Sequence, residues 1–321
     1  MKIVVVGAGA TGAVMGGYLA MAGEEVCFLD PYEAHMTACR ENGLLIREAS
    51  FASVDDVKEH RVAVKATTSA AEAGIADLVL FMPKVTHTRD AMANAIAVSD
   101  EHTVLLTLQN GLGNVETISE YFDRERIAYG ITSISSGLPQ PGVVTPRIPL
   151  HHQVWLGSDN SELQGILEKI AADYRSVGLE AEYDVNIKVR IWEKFALNCG
   201  VNATTAIVRL TPRNANQFQE LVDIRVGIIS EIDTIAKRQG IFMDPETIFA
   251  AGFKAVPVSE SRSPDTYASM AQDVKAGRQT EIMSLNGYAV LEARRLGLSA
   301  PYNEVVTNLI RVIENSYELQ F

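Results

Sequence analysis

The sequence predicts an α/β protein: a domain built on a mostly parallel β-sheet, followed by an all-α domain. In the first half, short apolar runs typical of buried strands alternate with helical stretches, which is the pattern of a parallel sheet covered on both faces. From about residue 187 onward the pattern is helical almost throughout. We place the boundary at a strand-to-helix junction, which gives domains of residues 1–185 and 186–321.

The first thirty residues combine a strand, a glycine turn, a helix, a second strand and an acid. Lys2–Val6 is apolar and leads into a GxGxxG turn, and the apolar run 26–29 ends at Asp30. In a dinucleotide site of the Rossmann type, the glycines permit a tight turn, approach of the pyrophosphate and close helix packing, while the acid binds the ribose hydroxyls. A βαβ unit that binds nothing is the alternative. We assign to the cofactor site Gly7, Ala8, Gly9, Ala10, Thr11, Gly12 and Asp30.

The remaining elements follow from periodicity and from turn residues. We expect helices over 33–42, 88–98, 161–176, 221–238 and 280–295 with a last helix from Tyr302, strands at 44–46, 61–64, 77–82, 103–108 and 179–184, and antiparallel strands between 128 and 157. The strands at 44–46 and 61–64 are expected on the far side of the main sheet.

Two further polar side chains follow predicted strand ends. Lys84 comes after the strand at 77–82, and Asn110 comes after the strand at 103–108. Ligands of parallel sheets bind beyond the carboxyl ends of the strands. We therefore expect Lys84, Asn110 and the glycine turn to face one crevice.

Composition excludes several function classes. The 321-residue chain carries a net charge of −12 with a pI of about 5.0, which disfavours nucleic acid and anionic membrane surfaces as partners. No run approaches the roughly 18 apolar residues of a membrane span. The three cysteines are far apart and show no metal-ligand spacing, so we expect no metal site and a reducing, cytoplasmic location. The glycine spacing also argues against an N-terminal signal peptide.

A second polar constellation lies in the helical half. Lys194, Asn198 and Asn202 are spaced by four, so a helix stacks them on one face between apolar neighbours. Such groups are costly to bury unless they meet partners or a ligand, and a satisfied polar network between helices is the alternative. Thr280 and Glu281 open a predicted helix, where an acid is often only a favourable surface charge.

These motifs resemble the ketopantoate reductase (2-dehydropantoate 2-reductase) family over nearly the whole chain. The matching segments occur in order across both predicted domains. They are the turn Gly7-Ala8-Gly9-Ala10-Thr11-Gly12, the Lys84 strand end, Gln109-Asn110-Gly111, Pro141-Gly142-Val143-Val144, the run 192–198, Ser269-Met270 and Thr280-Glu281-Ile282.

The resemblance implies an active site in a cleft between the two domains. Lys194 is then the general acid that protonates the carbonyl oxygen of a 2-oxo acid as hydride arrives, a role that ketone reduction requires. Glu281 is its electrostatic partner or an anchor for the substrate hydroxyl, and it also borders the cofactor. The remaining implied roles are substrate binding by Asn198, Asn202, Ser269 and Asn110, and lining of the cofactor and carbonyl end by Lys84 and Asn110.

The chain departs from well-known family members at the adenosine ribose. Those members resemble NADPH enzymes with a basic or neutral polar group after the second strand. Here Asp30 stands there and the next arginine is Arg40. A carboxylate accepts hydrogen bonds from ribose hydroxyls and repels a 2′-phosphate, so NAD is the expected cofactor.

The leading hypothesis is NAD(P)H-dependent reduction of a 2-oxo acid to a D-2-hydroxy acid, with 2-dehydropantoate as the first substrate to test. One alternative is an NAD-dependent D-2-hydroxyacid dehydrogenase of the same family that acts on bulkier or aromatic substrates, of the D-mandelate type. The alternative from another class is a non-enzymatic dinucleotide sensor, which has no need for Lys194 and Glu281 together. The helical domain is a candidate surface for a homodimer, although amphipathic helices with a buried face are equally expected in a monomer.

Overall fold

A computed structural model describes residues 1–50, 53–149, 151, 153–252 and 267–319. The chain forms two compact units. Unit 1 comprises Met1–Gln109 with Asn114–Ile187, and unit 2 comprises Asn110–Gly113 with Lys188–Phe321. The first is α/β and the second is helical, which confirms the predicted fold class.

Unit 1 contains two sheets. The strands are β1 (Lys2–Val6), β2 (Glu25–Leu29), β3 (Leu44–Ser50), β4 (Ser53–Val62), β5 (Lys65–Thr67), β6 (Leu78–Phe81), β7 (Val104–Thr107), β8 (Ile127–Thr132), β9 (Ser135–Gln140), β10 (Val143–Ile148), β11 (Val154–Ser158) and β12 (Ala181–Tyr183). The helices are α1 (Ala10–Met21), α2 (Glu33–Asn42), α3 (Ala70–Ala73), α4 (Thr88–Ala97), α5 (Asn114–Ser119) and α6 (Gln164–Ser176).

The larger sheet has eight strands in the order β12-β11-β8-β7-β6-β1-β2-β5, parallel except where β11 meets β8. Leu29, Val6, Phe81 and Thr107 lie side by side in register at the carboxyl ends of four neighbouring strands. The glycine turn, Asp30 and Lys84 therefore leave the sheet at one edge, the edge at which parallel sheets bind ligands.

Helix α1 lies between the two sheets. A Cβ added at Gly16 would come within 2.6 Å of Val5 on the larger sheet, and one added at Gly17 would come within 2.7 Å of Leu44 on the smaller sheet. Two adjacent glycines thus let the helix approach both layers at once. Packing on both sides therefore fixes α1, which begins directly after the glycine turn.

One sequence expectation about the strands was wrong. Residues 44–46 and the first two residues of 61–64 do lie in strands, but β3 and β4 belong to a separate four-stranded sheet of order β4-β3-β10-β9. The place beside β2 in the main sheet is taken by the short strand β5. β3 pairs with β10, about a hundred residues later in the chain, and local periodicity carries no signal of that partner.

Unit 2 is helical and has its own core, in which Phe195 and Cys199 pack with a row of isoleucines that includes Ile228 and Ile232. Its helices are α7 (Ile187–Val208), α8 (Pro212–Ala215), α9 (Gln219–Arg238), α10 (Pro245–Gly252), α11 (Ser269–Lys275), α12 (Asn286–Arg295) and α13 (Pro301–Glu314). Within the described ranges, no helix combines the length and apolarity that crossing a bilayer requires.

The predicted helix start at Thr280 was also wrong. Ile282–Ser284 forms a single 3₁₀ turn, and α12 begins only at Asn286. Leu285 has φ −111° and ψ −111°, a non-helical conformation that separates the two pieces. Glu281 therefore stands before a tight turn, and its surroundings are set by that turn.

Candidate active site

The first and third glycines of the turn are required by the fold. Gly7 has φ +87°, and a Cβ there would overlap the Pro83 nitrogen. A Cβ at Gly12 would overlap the carbonyl oxygen of Gly7. These two positions close the strand–turn–helix connection and need no ligand to explain them.

Gly9 is different. Its φ of −68° suits any residue, and among the described residues no atom lies within 4 Å of an added Cβ. No side chain in the described part of the chain caps the first turn of α1, which starts at the next residue. Open space beside uncapped helix N–H groups and the positive end of the helix dipole suits an anion, and so fits the pyrophosphate of a dinucleotide.

Asp30 follows β2 and lies partly exposed beside this turn. Its Oδ1 accepts a hydrogen bond from the Tyr32 amide at 2.8 Å. The next arginine along the chain donates elsewhere, because Arg40 hydrogen-bonds the Ala66 carbonyl at 3.2 Å and the Thr37 hydroxyl at 3.1 Å. The acid therefore presents a carboxylate, and Arg40 is engaged with protein groups.

The ends of β6 and β7 are joined by Gln109. Its amide nitrogen donates to the Pro83 carbonyl at 2.8 Å and to the Thr88 hydroxyl at 3.0 Å. Lys84 follows Pro83 and is exposed. Gln109 thus fixes the backbone that carries Lys84.

In unit 2, the single helix α7 carries Lys194, Asn198 and Asn202 on one face, and all three side chains are half-buried. The Lys194 ammonium donates a hydrogen bond to Asn110 Oδ1 at 2.8 Å. Asn202 Nδ2 lies 3.5 Å from the hydroxyl of Ser269, the first residue of α11. That distance is long for a hydrogen bond.

Asn110 reaches Lys194 because the segment 110–113 lies directly on the 3₁₀ turn before α12. Gly111 has φ +87°, and a Cβ there would come within 2.5 Å of the Ser284 carbonyl oxygen. Glu281 immediately precedes this turn. The glycine of the Gln109-Asn110-Gly111 motif therefore brings Asn110 to the same part of unit 2 as Glu281.

The electrostatics of Lys194 are unusual for a lysine. Although part of the side chain remains accessible, surrounding protein atoms displace water and lower the pKa of the Lys194 ammonium to about 8, while the negative charge of Glu281 opposes that shift. Near neutral pH the group holds a proton that it can release readily. Proton donors of this kind suit general acid catalysis.

Two residues with long-range contacts, His35 and Ser136, were not identified from the sequence. His35 on α2 is fully buried and accepts a hydrogen bond from the amide of Gly142, which is 107 residues away. Ser136 on β9 has its hydroxyl 3.0 Å from that of Thr11. Both contacts connect distant parts of the chain, so no local pattern could have identified them.

Within the described residues, no group of three His, Cys, Asp or Glu side chains is arranged to hold a metal ion.

Family models and relatives match the chain along almost its full length. The model described as Ketopantoate reductase PanE/ApbA matches residues 3–161, and its C-terminal counterpart matches residues 186–314. The 2-dehydropantoate 2-reductase of Pyrococcus horikoshii is 30% identical over 98% of both chains, and that of Streptococcus pyogenes serotype M6 is 27% identical over 100% of both. The chain belongs to the ketopantoate reductase family.

Solved structures agree with this membership. A ketopantoate reductase from Ralstonia eutropha JMP134 superposes with a TM-score of 0.81 at 27% identity, covering 99% of this chain and 100% of the other. D-mandelate dehydrogenase with NADH and anilino(oxo)acetate superposes with a TM-score of 0.87 over 99% and 100% of the two chains, but at 24% identity that likeness shows the fold alone. As a ketopantoate reductase family member, the protein is an oxidoreductase that acts on a CH–OH group with a nicotinamide dinucleotide.

Proposed function

We propose that this family member reduces a 2-oxo acid to a D-2-hydroxy acid, with 2-dehydropantoate as the substrate and NADH as the preferred cofactor. The observation that carries the proposal is Lys194, a lysine of lowered pKa that Asn110 holds by a hydrogen bond beside the charge of Glu281. A dinucleotide sensor has no use for such a proton donor.

The proposed chemistry uses Lys194 as the general acid. NADH, when bound, supplies the hydride. Lys194 holds a proton on Nζ and delivers it to the substrate carbonyl oxygen, whose developing negative charge the ammonium also stabilises. Asn110 orients the ammonium, and Glu281 keeps it protonated through its charge.

The other polar side chains are assigned to the substrate. Asn198, Asn202 and Ser269 offer amide and hydroxyl groups that can hold a carboxylate without adding charge, and the long contact between Asn202 and Ser269 leaves both able to rearrange around a ligand. We assign residues 1–185 to dinucleotide binding, in which the Gly7–Gly12 turn, Asp30 and Lys84 contact the cofactor. We assign residues 186–321 to substrate binding and dimerisation. Glu281 and Asn110 serve both ligands.

The deciding experiment measures NADH oxidation with 2-dehydropantoate, 2-oxoisovalerate, 2-oxoisocaproate and benzoylformate, with chiral analysis of each product. We expect the highest kcat/KM with 2-dehydropantoate and a D product. Higher kcat/KM with benzoylformate would favour the aromatic alternative. No turnover with any substrate, together with tight NADH binding, would favour the sensor.

We also propose a homodimer formed through an exposed apolar face of unit 2. Four apolar side chains of α13 follow the 3-4-3 spacing of a coiled-coil seam, and their exposed fractions lie between 45% and 64%. Beside them is a cavity of about 360 Å³ bordered by apolar residues of α7, α9 and α13. Apolar patches of this kind commonly mark protein interfaces. The four seam residues are Tyr302, Val305, Leu309 and Val312.

Charge argues for a second copy as the occupant. Glu304 lies three residues before the middle of this seam, at Thr307, and Arg311 lies four residues after it. When two α13 helices pair antiparallel about a two-fold axis, Glu304 of one copy therefore lies near Arg311 of the other, twice per dimer. The seam is therefore complementary to itself in charge as well as in apolar pattern.

Sedimentation tests the dimer. The wild type is expected to sediment as a dimer and Leu309→Glu as a monomer. Phe242→Glu, which changes a more exposed apolar residue outside the seam, should leave the dimer intact. A wild type that stays monomeric at all concentrations would rule this interface out.

The buried, free cysteines Cys27, Cys39 and Cys199 support the proposed cytoplasmic location.

A further inference from the structure

The segment that carries Glu281 is held at both ends by hydrogen bonds from other helices of unit 2. This Glu281 segment comprises residues 280–286 and contains the 3₁₀ turn and the first residue of α12. Inside it, the Glu281 carbonyl accepts hydrogen bonds from the amides of Ser284 and Leu285, both at 3.1 Å. The segment is therefore one hydrogen-bonded unit, and the groups that hold its ends decide where Glu281 lies.

Asn286 holds the C-terminal end of the Glu281 segment. Its side chain is fully buried, and Nδ2 donates to the carbonyl of Cys199 on α7 at 3.2 Å and to Asn303 Oδ1 on α13 at 3.0 Å. Cys199 lies five residues after Lys194 on the same helix. Asn286 therefore ties the Glu281 segment directly to the helix that carries the proposed proton donor.

The orientation of the Asn286 amide is fixed by its neighbours. Asn303 is fully buried, and its Nδ2 donates to the Glu231 carboxylate at 2.7 Å, so its Oδ1 faces Asn286. Both partners of Asn286 are thus acceptors, and its NH₂ group must face them. Asn286 Oδ1 is buried and accepts no hydrogen bond from the described residues. Since an unpaired buried acceptor costs stability, stability alone does not explain an amide at this position.

Glu314 holds the N-terminal end of the Glu281 segment. It is the last residue of α13, and its Oε1 accepts a hydrogen bond from the Thr280 amide at 2.6 Å. The Thr280 hydroxyl accepts in turn from the Ile282 amide at 3.2 Å, so the backbone on both sides of Glu281 is bonded. Helix α13 therefore holds both ends of the segment, through Asn303 near its start and Glu314 at its end.

We propose that Asn286 and Glu314 are positioning residues for the reaction: they hold the two ends of the Glu281 segment and so fix the Glu281 carboxylate relative to the proton donor. The interaction of two charges depends on their separation, and a misplacement of about 1 Å in an active site is enough to change a rate. This inference rests on the proposed roles of Lys194 and Glu281. It adds the groups through which the fold controls the charge that acts on Lys194.

The pH dependence of the reaction reports on this placement. The charge of Glu281 raises the pKa of the Lys194 ammonium, so moving the carboxylate away should let Lys194 lose its proton at lower pH. Cys199 adds no charge, because burial raises the pKa of its thiol. The titratable groups around Lys194 and the segment include Glu193 and Cys199 of α7, Glu231 of α9, Glu281, Tyr288 of α12 and Glu314 of α13.

Substitution of Asn286 tests the proposal. Asn286→Ala removes both hydrogen bonds and should move the alkaline limb of kcat for reduction by about 0.5 pH unit to lower pH, which is about 3-fold in rate above the limb. At pH 6, where Lys194 is protonated in every variant, kcat should stay within about 2-fold of wild type. Thr205→Val is the matched control, because it also removes a buried hydrogen bond to a carbonyl of α7, but its partner Val201 lies within the same helix.

A double variant shows through which group Asn286 acts. If Asn286 acts by placing Glu281, Asn286→Ala should cause no further shift of the limb in the Glu281→Gln background. Additive shifts would mean that Asn286 affects Lys194 by another route and would overturn the proposal. A folded Asn286→Ala protein with a lower melting temperature and an unmoved limb would do the same, since a purely structural role predicts that result.

Glu314 supplies a second test at a half-buried position, where substitution is less disruptive. Glu314→Ala and Glu314→Gln both remove a charge, but the Gln side chain keeps an oxygen that can accept from the Thr280 amide. The Ala variant should show the shifted limb and the Gln variant the wild-type limb. Equal shifts in both variants would assign the effect to the charge and overturn the proposal. Wild-type protein whose reduction rate showed no alkaline limb would refute the proposed role of Lys194 instead.

Discussion

The glycine turn of unit 1 and the α7 face of unit 2 that carries Lys194, Asn198 and Asn202 (the Lys194 face) present polar groups in opposite ways. The turn offers backbone N–H groups and an open Gly9 position. The Lys194 face offers side chains, one of them an ammonium whose pKa is lowered to about 8. The first arrangement suits binding a constant anionic group. The second suits moving a proton, because only a side chain can titrate near neutral pH.

The two regions should therefore fail differently when substituted. Damage at the turn should weaken cofactor binding and leave the chemical step unchanged. Damage at Lys194 should slow the chemical step and leave cofactor binding unchanged. The following variants test that separation in order of expected effect.

Lys194→Ala should have the largest effect. Loss of a positioned general acid typically costs about 10²–10⁴-fold in rate, so kcat should fall by that order while the NADH dissociation constant stays near the wild-type value. Lys188→Ala, an exposed change on the same helix, is the matched control. If the folded Lys194→Ala protein turned over at a near-normal rate and lost only thermal stability, Lys194 would be a structural group.

Gly9→Val should weaken the binding of NADH. The side chain would enter space that the proposed pyrophosphate needs, and losing one or two charge-assisted hydrogen bonds corresponds to about 10- to 100-fold weaker NADH binding. The melting temperature should change little, because no described atom is near the added Cβ. Gly165→Val, at another open glycine of unit 1, should leave NADH affinity unchanged. Unchanged affinity in Gly9→Val would mean that the turn does not bind the cofactor.

The contrast among the glycines also shows how far the sequence alone could go. The GxGxxG pattern identified the turn, because strand, turn and helix are contiguous and their signals are local. It could not distinguish Gly7 and Gly12, which the fold itself requires, from Gly9, which it does not. That distinction depends on neighbours such as Pro83, which are distant in sequence.

The helical half shows a similar limit. The four-residue spacing of Lys194, Asn198 and Asn202 was sufficient to predict a shared face, because helix geometry is regular. The predicted helix start at Thr280 was wrong because a single non-helical residue, Leu285, divides that stretch. The hydrogen bond from Lys194 to Asn110 joins residues 84 positions apart, and only the folded chain reveals it.

Substitution of Asp30 should have a smaller effect, which is confined to the preference for NADH over NADPH. Its carboxylate should repel a 2′-phosphate, so the wild type should show higher kcat/KM with NADH than with NADPH. Asp30→Asn should narrow that ratio by about 10-fold, and Asp30→Arg should reverse it, with kcat at saturating cofactor nearly unchanged. Steady-state kinetics with both cofactors measure the ratio. Equal or higher efficiency of the wild type with NADPH would contradict the assignment.

Substitution of Glu281 should have the smallest effect, and that effect should appear in the pH dependence of the reaction rate. Lys194 must be protonated to reduce a ketone, so reduction should slow as the pH rises above about 8, while oxidation of the hydroxy acid should accelerate over the same range. The charge of Glu281 raises the pKa of Lys194, so Glu281→Gln should move both limbs to lower pH. Rates measured in both directions from pH 6 to 10 test this. A profile that Glu281→Gln left in place would show that Glu281 does not tune the proton donor, and a larger KM with an unmoved profile would make it a substrate anchor.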